Sequence, residues 1–367
     1  MKVSGKQQKI IKPIYVTMPS LAPLEEYSGL LQKVWESGIL THNGPLVQKF
    51  ERELCSALKL NNIVAVTNGT IALQMAIKAL RLKGEIITTP FTWIATISSI
   101  IWEGCIPVFA DINPETLNID PNKIEEKITK KTSAIIPVHV FGNPCNVPEI
   151  EEIAKQNNLK IIYDAAHAVG SNVKGKSILE FGDISATSFH ATKLLNTAEG
   201  GGIVTNDVEL HAKLKRIRFF GHNDNKEVIE DGFNGKMTEV HAALGLANLK
   251  YFKSVLQDRK EKYLYYRENL EKLGSYYFQK SEFGEQNYSY FPVIFEREKD
   301  LLKKETILNR KNIFPRRYFY PSVNVYRKIL KPSNLPISED ISKRIMCLPL
   351  YFNLSYEEID LIIELMK

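Results

Sequence analysis

Ala186-Thr187-Ser188-Phe189-His190-Ala191-Thr192-Lys193, running into Asn196-Thr197-Ala198-Glu199-Gly200-Gly201-Gly202, decides how this chain folds. The β-prone approach from Ile184 to Phe189 delivers one lysine into a turn of small residues, and Ile203-Val204-Thr205 leaves that turn as another strand. A lysine so placed is held against backbone and away from free solvent. Desolvation there lowers the amine's pKa and makes it nucleophilic, which Schiff-base chemistry requires. Taken alone, a lysine beside a glycine turn reads as an ordinary surface residue. The rest of the chain gives it weight.

Upstream, a strap (Ile14 to Thr17) leads to a helix over Leu24 to Glu36, and Val47 to Leu58 has a second helical pattern. Ile63-Val64-Ala65-Val66 is a short buried strand closed by Thr67-Asn68-Gly69-Thr70, with a helix from Ile71. Strand, glycine turn and helix start leave free N–H groups at a positive helix end, suited to a phosphate; an ordinary N-cap has the same pattern. Strands and helices then alternate with short connections from about residue 60 to 205. This predicts an α/β fold with a mostly parallel sheet, whose ligands lie outside the carboxyl ends of the strands. Thr67–Thr70, Phe91–Trp93, Asp164–His167 and Ser188–Lys193 all fall at such ends. Downstream, Thr238 to Leu256 reads as one helical stretch, and from Tyr277 the pattern becomes that of a smaller α+β unit. The expected division is 1–250, strap plus large α/β domain, and 251–367, small domain.

Composition narrows the function classes. The 367 residues are 44% hydrophobic and 25% charged, ordinary for a globular protein with a sizeable core. The net charge of +6 is spread along the chain with acidic residues interleaved, so no concentrated nucleic-acid face is expected. The four cysteines (Cys55, Cys105, Cys145, Cys347) are far apart and make no CxxC spacing, which supports neither a zinc site nor a disulfide framework and fits a reducing cytoplasm. Met1 to Lys12 is polar with no secretory pattern, and no apolar run approaches the roughly 20 residues of a membrane span.

A carboxylate at a buried strand end, Asp164, costs free energy unless it meets a cation or a protonated nitrogen. With Lys193, the phosphate cradle and Trp93 able to stack, these are the parts that pyridoxal phosphate (PLP) needs. Each also has a structural reading: Asp164 as a strand-end cap, Trp93 as core, and His167 as a core histidine. At Thr67–Thr70, Phe91–Thr96, Asp164–Ala168, Ser188–Lys193, Glu199–Gly201 and Gly232–Met237 followed by Ala242–Gly245, the chain resembles the DegT/DnrJ/StrS sugar aminotransferases. The likeness runs from Thr41–Pro45 to Leu348–Tyr351. It implies a fold type I, aspartate-aminotransferase-like PLP enzyme, working as a homodimer with shared active sites. Lys193 would then bind PLP as a Schiff base and move protons, Asp164 would pair with the pyridine nitrogen, and Trp93 would stack on the ring. Gly69, Thr70 and Ser188 would hold the phosphate, joined by the partner subunit's Asn234, and His167 would sit by the ring hydroxyl. Relatives with histidine at the lysine position remove a sugar hydroxyl instead; Lys193 favours transamination.

Pro315-Arg316-Arg317-Tyr318-Phe319-Tyr320-Pro321 lacks periodicity. Its paired arginines and tyrosines (Arg316, Arg317, Tyr318, Tyr320) suit a diphosphate and a sugar through bidentate hydrogen bonds and stacking, or else pack as a basic loop. With Val16 to Tyr27, this loop is similar to enzymes that make dTDP-4-amino-4,6-dideoxyglucose from dTDP-4-keto-6-deoxyglucose with L-glutamate as donor, sugars bound for surface polysaccharides such as O-antigen. C3 amination of a 3-keto-6-deoxyhexose is the nearest alternative, and a non-catalytic PLP-binding regulator another. A nucleotide-binding dehydrogenase would need a G-x-G-x-x-G turn after the first strand, and Thr67 to Thr70 offers one glycine.

Overall fold

The computed structural model describes residues 12–367, so nearly all of the polar N-terminal stretch lies outside the described residues. The strap contributes strand β1 (Ile14–Tyr15), followed by helices Leu24–Ser37 and Pro45–Leu58. The alternating region supplies β2 (Val64–Val66), β3 (Glu85–Thr88), β4 (Ile106–Phe109), β5 (Thr132–Ile136) and β6 (Lys160–Asp164). A small hairpin of β7 (Asn172–Val173) and β8 (Lys176–Ser177) precedes β9 (Ile184–Ser188) and β10 (Gly201–Val204).

Seven of these strands form one sheet in the order β2-β10-β9-β6-β5-β3-β4. The pairs from β9 to β4 are parallel, whereas β10 is antiparallel to both β2 and β9. Six strands therefore end at one edge, and β10 begins there. The near-continuous apolar runs expected of a sheet covered on both faces divide accordingly. Phe50, Ile87, Ile135, Tyr163 and Phe189 fill one core, and Met75, Ile86, Ile136, Ile162 and Ile203 fill the other.

The stretch expected as one helix over Thr238 to Leu256 breaks at Lys250–Tyr251 into Glu239–Leu249 and Phe252–Glu271. No glycine or proline marks the break; the first helix packs against Pro45–Leu58 and Leu24–Ser37, the second against the closing helix Tyr356–Met366. Two different packing partners decide it. The smaller sheet has the order β11-β12-β14, all antiparallel, from β11 (Tyr276–Tyr277) and β12 (Phe291–Phe295), with β13 (Ile313–Phe314) apart and β14 (Ile345–Leu348) last. Tyr266, Phe291, Leu308 and Ile362 form its core. β1 pairs in parallel with β13, so the strap reaches across to this smaller unit.

Candidate active site

One cavity of about 680 Å³ opens at the edge where the parallel strands end, within the usual size of a small-molecule site. Its wall gathers Gly69, Thr70, Trp93, Asp164, His167, Ser188 and Lys193, which are distributed over more than a hundred residues of sequence.

The turn after β2 is built by Asn68, whose side chain accepts a hydrogen bond from the Ile71 N–H (2.9 Å) and caps helix Gly69–Ala79. Gly69 meets β9 closely: a Cβ there would lie 2.9 Å from Ser188 Cβ. Only glycine lets the helix N-terminus and the Ser188 hydroxyl share one concave corner.

Asp164 is 6% exposed at the end of β6. Its Oδ2 accepts from Thr96 Oγ1 (2.8 Å) and its Oδ1 from the Ala166 N–H (3.1 Å). Burial lifts its pKa above the usual carboxylate range, while these two donors and the Lys193 charge pull it back. Lys193 answers from the turn after β9, where its N–H is tied to the His190 carbonyl (2.8 Å). Burial draws its amine down to about 8, against the opposing pull of Asp164.

His167 packs nearly parallel to Phe141 and Phe319, with ring planes within 5° and 11° and centroids 6.3 and 6.0 Å away. Burial, reinforced by the Lys193 charge, holds its pKa well below the ordinary value, so the ring is neutral. Its Nδ1 is buried without a hydrogen-bond partner. Trp93, half-exposed at the head of helix Ile94–Trp102, meets Tyr318 edge-on, and the Arg316 guanidinium lies over both rings (5.8 and 4.8 Å).

The aromatic loop divides. Arg316 and Tyr318 line the cavity, whereas Arg317 donates to Glu298 Oε1 (2.7 Å) and the Lys343 carbonyl (2.6 Å) and stacks on Tyr320 (3.6 Å). Those contacts engage Arg317 with the small unit's own helices, and neither it nor Tyr320 reaches the cavity wall. Asn234 also lies outside this chain's cavity, exposed, with its Oδ1 accepting from Lys236 Nζ (2.6 Å). The wall contains further groups that the sequence reading passed over or left as structural: His190, Glu199, Lys236 and His241. Among them, Glu199 precedes β10 and so arrives at the same edge; its place beside the glycine run was the available signal.

Among the described residues no helix is long and apolar enough to cross a membrane, and no group of three or more His, Cys, Asp or Glu side chains could hold a metal.

The description of the DegT/DnrJ/EryC1/StrS aminotransferase family matches residues 24–367. The chain is 42% identical over 362 residues to dTDP-4-amino-4,6-dideoxy-D-glucose transaminase of Shigella dysenteriae, covering 97% of this chain and 99% of that one. It is 40% identical over 356 residues to the Escherichia coli protein of the same name, covering 94% and 96%. The crystal structure of DesI in the presence of its TDP-sugar product superposes with a TM-score of 0.92 at 30% identity, covering 97% of this chain and 93% of that one. Match and geometry coincide at the strand-end cavity: this chain belongs to the DegT/DnrJ/EryC1/StrS aminotransferase family.

Proposed function

We propose that the protein transfers the amino group of L-glutamate to C4 of dTDP-4-keto-6-deoxyglucose, giving dTDP-4-amino-4,6-dideoxyglucose and 2-oxoglutarate, with PLP as cofactor. The observation that carries this is the pairing, at one strand-end cavity, of a lysine whose pKa burial draws down to about 8 with a buried aspartate. The names of the two relatives above support the sugar and the position.

The residues fit PLP on three counts. Gly69 leaves the helix N-terminus open beside Ser188, a cradle that a Cβ would fill. His167 Nδ1 is buried and free to meet a ring oxygen. Asp164 is a buried carboxylate that a protonated ring nitrogen would compensate. Gly69, Thr70 and Ser188 would hold the phosphate, joined by the partner subunit's Asn234 in a homodimer, and Trp93 would cover the ring. When bound, PLP supplies an aldehyde for amines and a ring that takes up electron density from a carbon losing its proton.

Lys193 Nζ is the group that engages the cofactor and, once freed, takes a proton from the glutamate α-carbon; with the sugar it delivers one to C4. A pKa near 8 keeps an appreciable share of the amine neutral at physiological pH, so it accepts protons without a large thermodynamic penalty. His167, neutral and packed against Phe141 and Phe319, orients rather than titrates. The Arg316 guanidinium at the mouth would meet the diphosphate, with Tyr318 beside it.

The test follows the visible spectrum of the PLP-loaded protein as L-glutamate and then dTDP-4-keto-6-deoxyglucose are added, with the sugar product identified by NMR. Conversion to the pyridoxamine form by glutamate, reversal by the sugar, and nitrogen at C4 are expected. Nitrogen at C3 overturns the position. A response to glutamate alone overturns the substrate, and none to any amino donor overturns catalysis.

A further inference from the structure

The cavity wall holds two carboxylates among the described residues, Asp164 and Glu199. Both Asp164 oxygens already accept hydrogen bonds from Thr96 and Ala166. Glu199 is different: its nearest partner is His190 Nε2 at 3.6 Å, beyond hydrogen-bond length, and its side chain is 57% exposed. A carboxylate with unused acceptor capacity therefore stands at the rim of a site whose other carboxylate, Asp164, is already engaged.

Its position is built, not incidental. The loop returning from Lys193 is laced to the end of β9 by Phe189 N–H to the Gly200 carbonyl (2.8 Å), Thr197 N–H to the Phe189 carbonyl (2.8 Å) and Ala191 N–H to the Ala198 carbonyl (2.7 Å). Thr197 Oγ1 donates to the Glu199 carbonyl itself (2.7 Å). A Cβ on Gly200 would lie 2.1 Å from Thr197 Oγ1, so the next residue must be glycine for this lacing to close. The backbone at Glu199 is thus fixed from both sides.

Two imidazoles flank the carboxylate. His190 Nδ1 accepts from the Thr192 N–H (3.2 Å), which leaves the ring proton on Nε2, the atom that faces Glu199. His241, whose Nδ1 is engaged with Thr238 Oγ1 (2.7 Å), also feels the Glu199 charge. A carboxylate accepts hydrogen bonds and donates none. Its complement in a hexose is a hydroxyl, and its effect on the carboxylates of glutamate is repulsion.

We propose that Glu199, oriented by His190, is the specificity-determining acceptor for a ring hydroxyl of the hexose. The inference rests on the nucleotide-sugar reading above and adds to it the residue that tells sugar from amino acid. Glu199 touches substrate; His190 is a positioning residue.

The experiment uses the PLP-loaded protein and its Glu199→Gln, Glu199→Ala and His190→Ala variants. Each is first checked for wild-type cofactor absorbance and melting temperature. In the PLP form no amine is available for transfer, so calorimetry reads the dissociation constant of dTDP-4-keto-6-deoxyglucose directly. That of dTDP alone is measured beside it. The two half-reactions are then timed separately. Loss of a hydrogen bond to a charged acceptor predicts that Glu199→Gln weakens the sugar nucleotide about 10- to 100-fold. The affinity for dTDP stays within about twofold, and the sugar half-reaction falls far more than the glutamate half-reaction. His190→Ala gives a smaller loss of the same kind, and the double variant loses less than the product of the two, as coupled residues do. Equal losses in both half-reactions, or unchanged sugar affinity in both Glu199 variants, overturn the inference while leaving the substrate reading intact. A wild-type protein that answers glutamate but binds no sugar nucleotide overturns the substrate reading, and this inference with it.

Discussion

At the scale of the residue, the site is made from groups held where they are least comfortable. Lys193 is the clearest case, its amine drawn by burial from 10.5 down to about 8. A lysine whose folded pKa lies below its unfolded one costs stability in full below the lower value, and the cost fades as pH rises from about 8 toward 10.5. The cofactor-free Lys193→Met variant is therefore expected to melt higher than the cofactor-free wild type at pH 7. The gain is of order 2 kcal/mol, shrinking as pH rises above about 8 and gone above about 10.5. Differential scanning calorimetry across that range checks it, and a variant that melts lower at pH 7 refutes the burial argument. The same substitution is expected to cost at least about a thousandfold in transamination, measured as 2-oxoglutarate formed, because no other lysine among the described residues combines this burial with Asp164. Arg317 makes the opposite point. Its guanidinium donates to Glu298 and the Lys343 carbonyl, a use of the charge that neighbouring Arg316 does not share.

At the scale of the element, what matters is how strand ends and helix ends are joined. Helix Gly69–Ala79 starts against Ser188 with no space for a side chain, so Gly69→Ala must push the helix N-terminus from β9. Dissociation of PLP, followed by fluorescence, is expected to become about tenfold easier, with the fold retained. A second joint ties the large sheet to the small unit. Asp111, just past β4, accepts from the Ile337 N–H (3.0 Å), the Ser338 N–H (2.9 Å) and the Ser338 hydroxyl, and so caps helix Pro336–Arg344 from across the molecule. Asp111→Ala would leave those donors unpaired beside the aromatic loop. A loss of about 2–3 kcal/mol is expected in denaturant unfolding. Glu239 plays a similar part within the large unit, its carboxylate accepting from the Leu46 and Val47 N–H groups (2.8 Å each) at the head of helix Pro45–Leu58. Neither cap is visible as a local pattern, because each joins residues about two hundred positions apart.

At the scale of the whole molecule, the proposed homodimer places the partner subunit's Asn234 at each phosphate, which fits an Asn234 that is exposed and absent from its own chain's cavity. Lys193→Ala and Asn234→Ala proteins are each expected to be impaired. Refolded together in equal amounts, they should recover about a quarter of wild-type activity, since half the dimers are mixed and each mixed dimer has one intact site. No recovery, with mixed dimers demonstrated by mass, would refute sharing. The sequence alone determined much of this. Short apolar runs such as Ile184–Ser188 and Lys160–Asp164, each followed by a turn, could bury only as covered parallel strands, so Asp164, Ser188 and Lys193 were legible as neighbours before any coordinate. β14 was legible too, as the apolar run Ile345-Met346-Cys347-Leu348, but short runs without a turn signal are easily passed over. Other features only the tertiary structure decided: the break at Lys250–Tyr251, the strap pairing of Ile14–Tyr15 with Ile313–Phe314, the parting of Arg316 from Arg317, and the arrival of Glu199 at the cavity rim. The reason is the same in each case. Periodicity and turn chemistry report what a segment can bury within its own few residues, whereas a partner far along the chain exists only once the fold has brought it there.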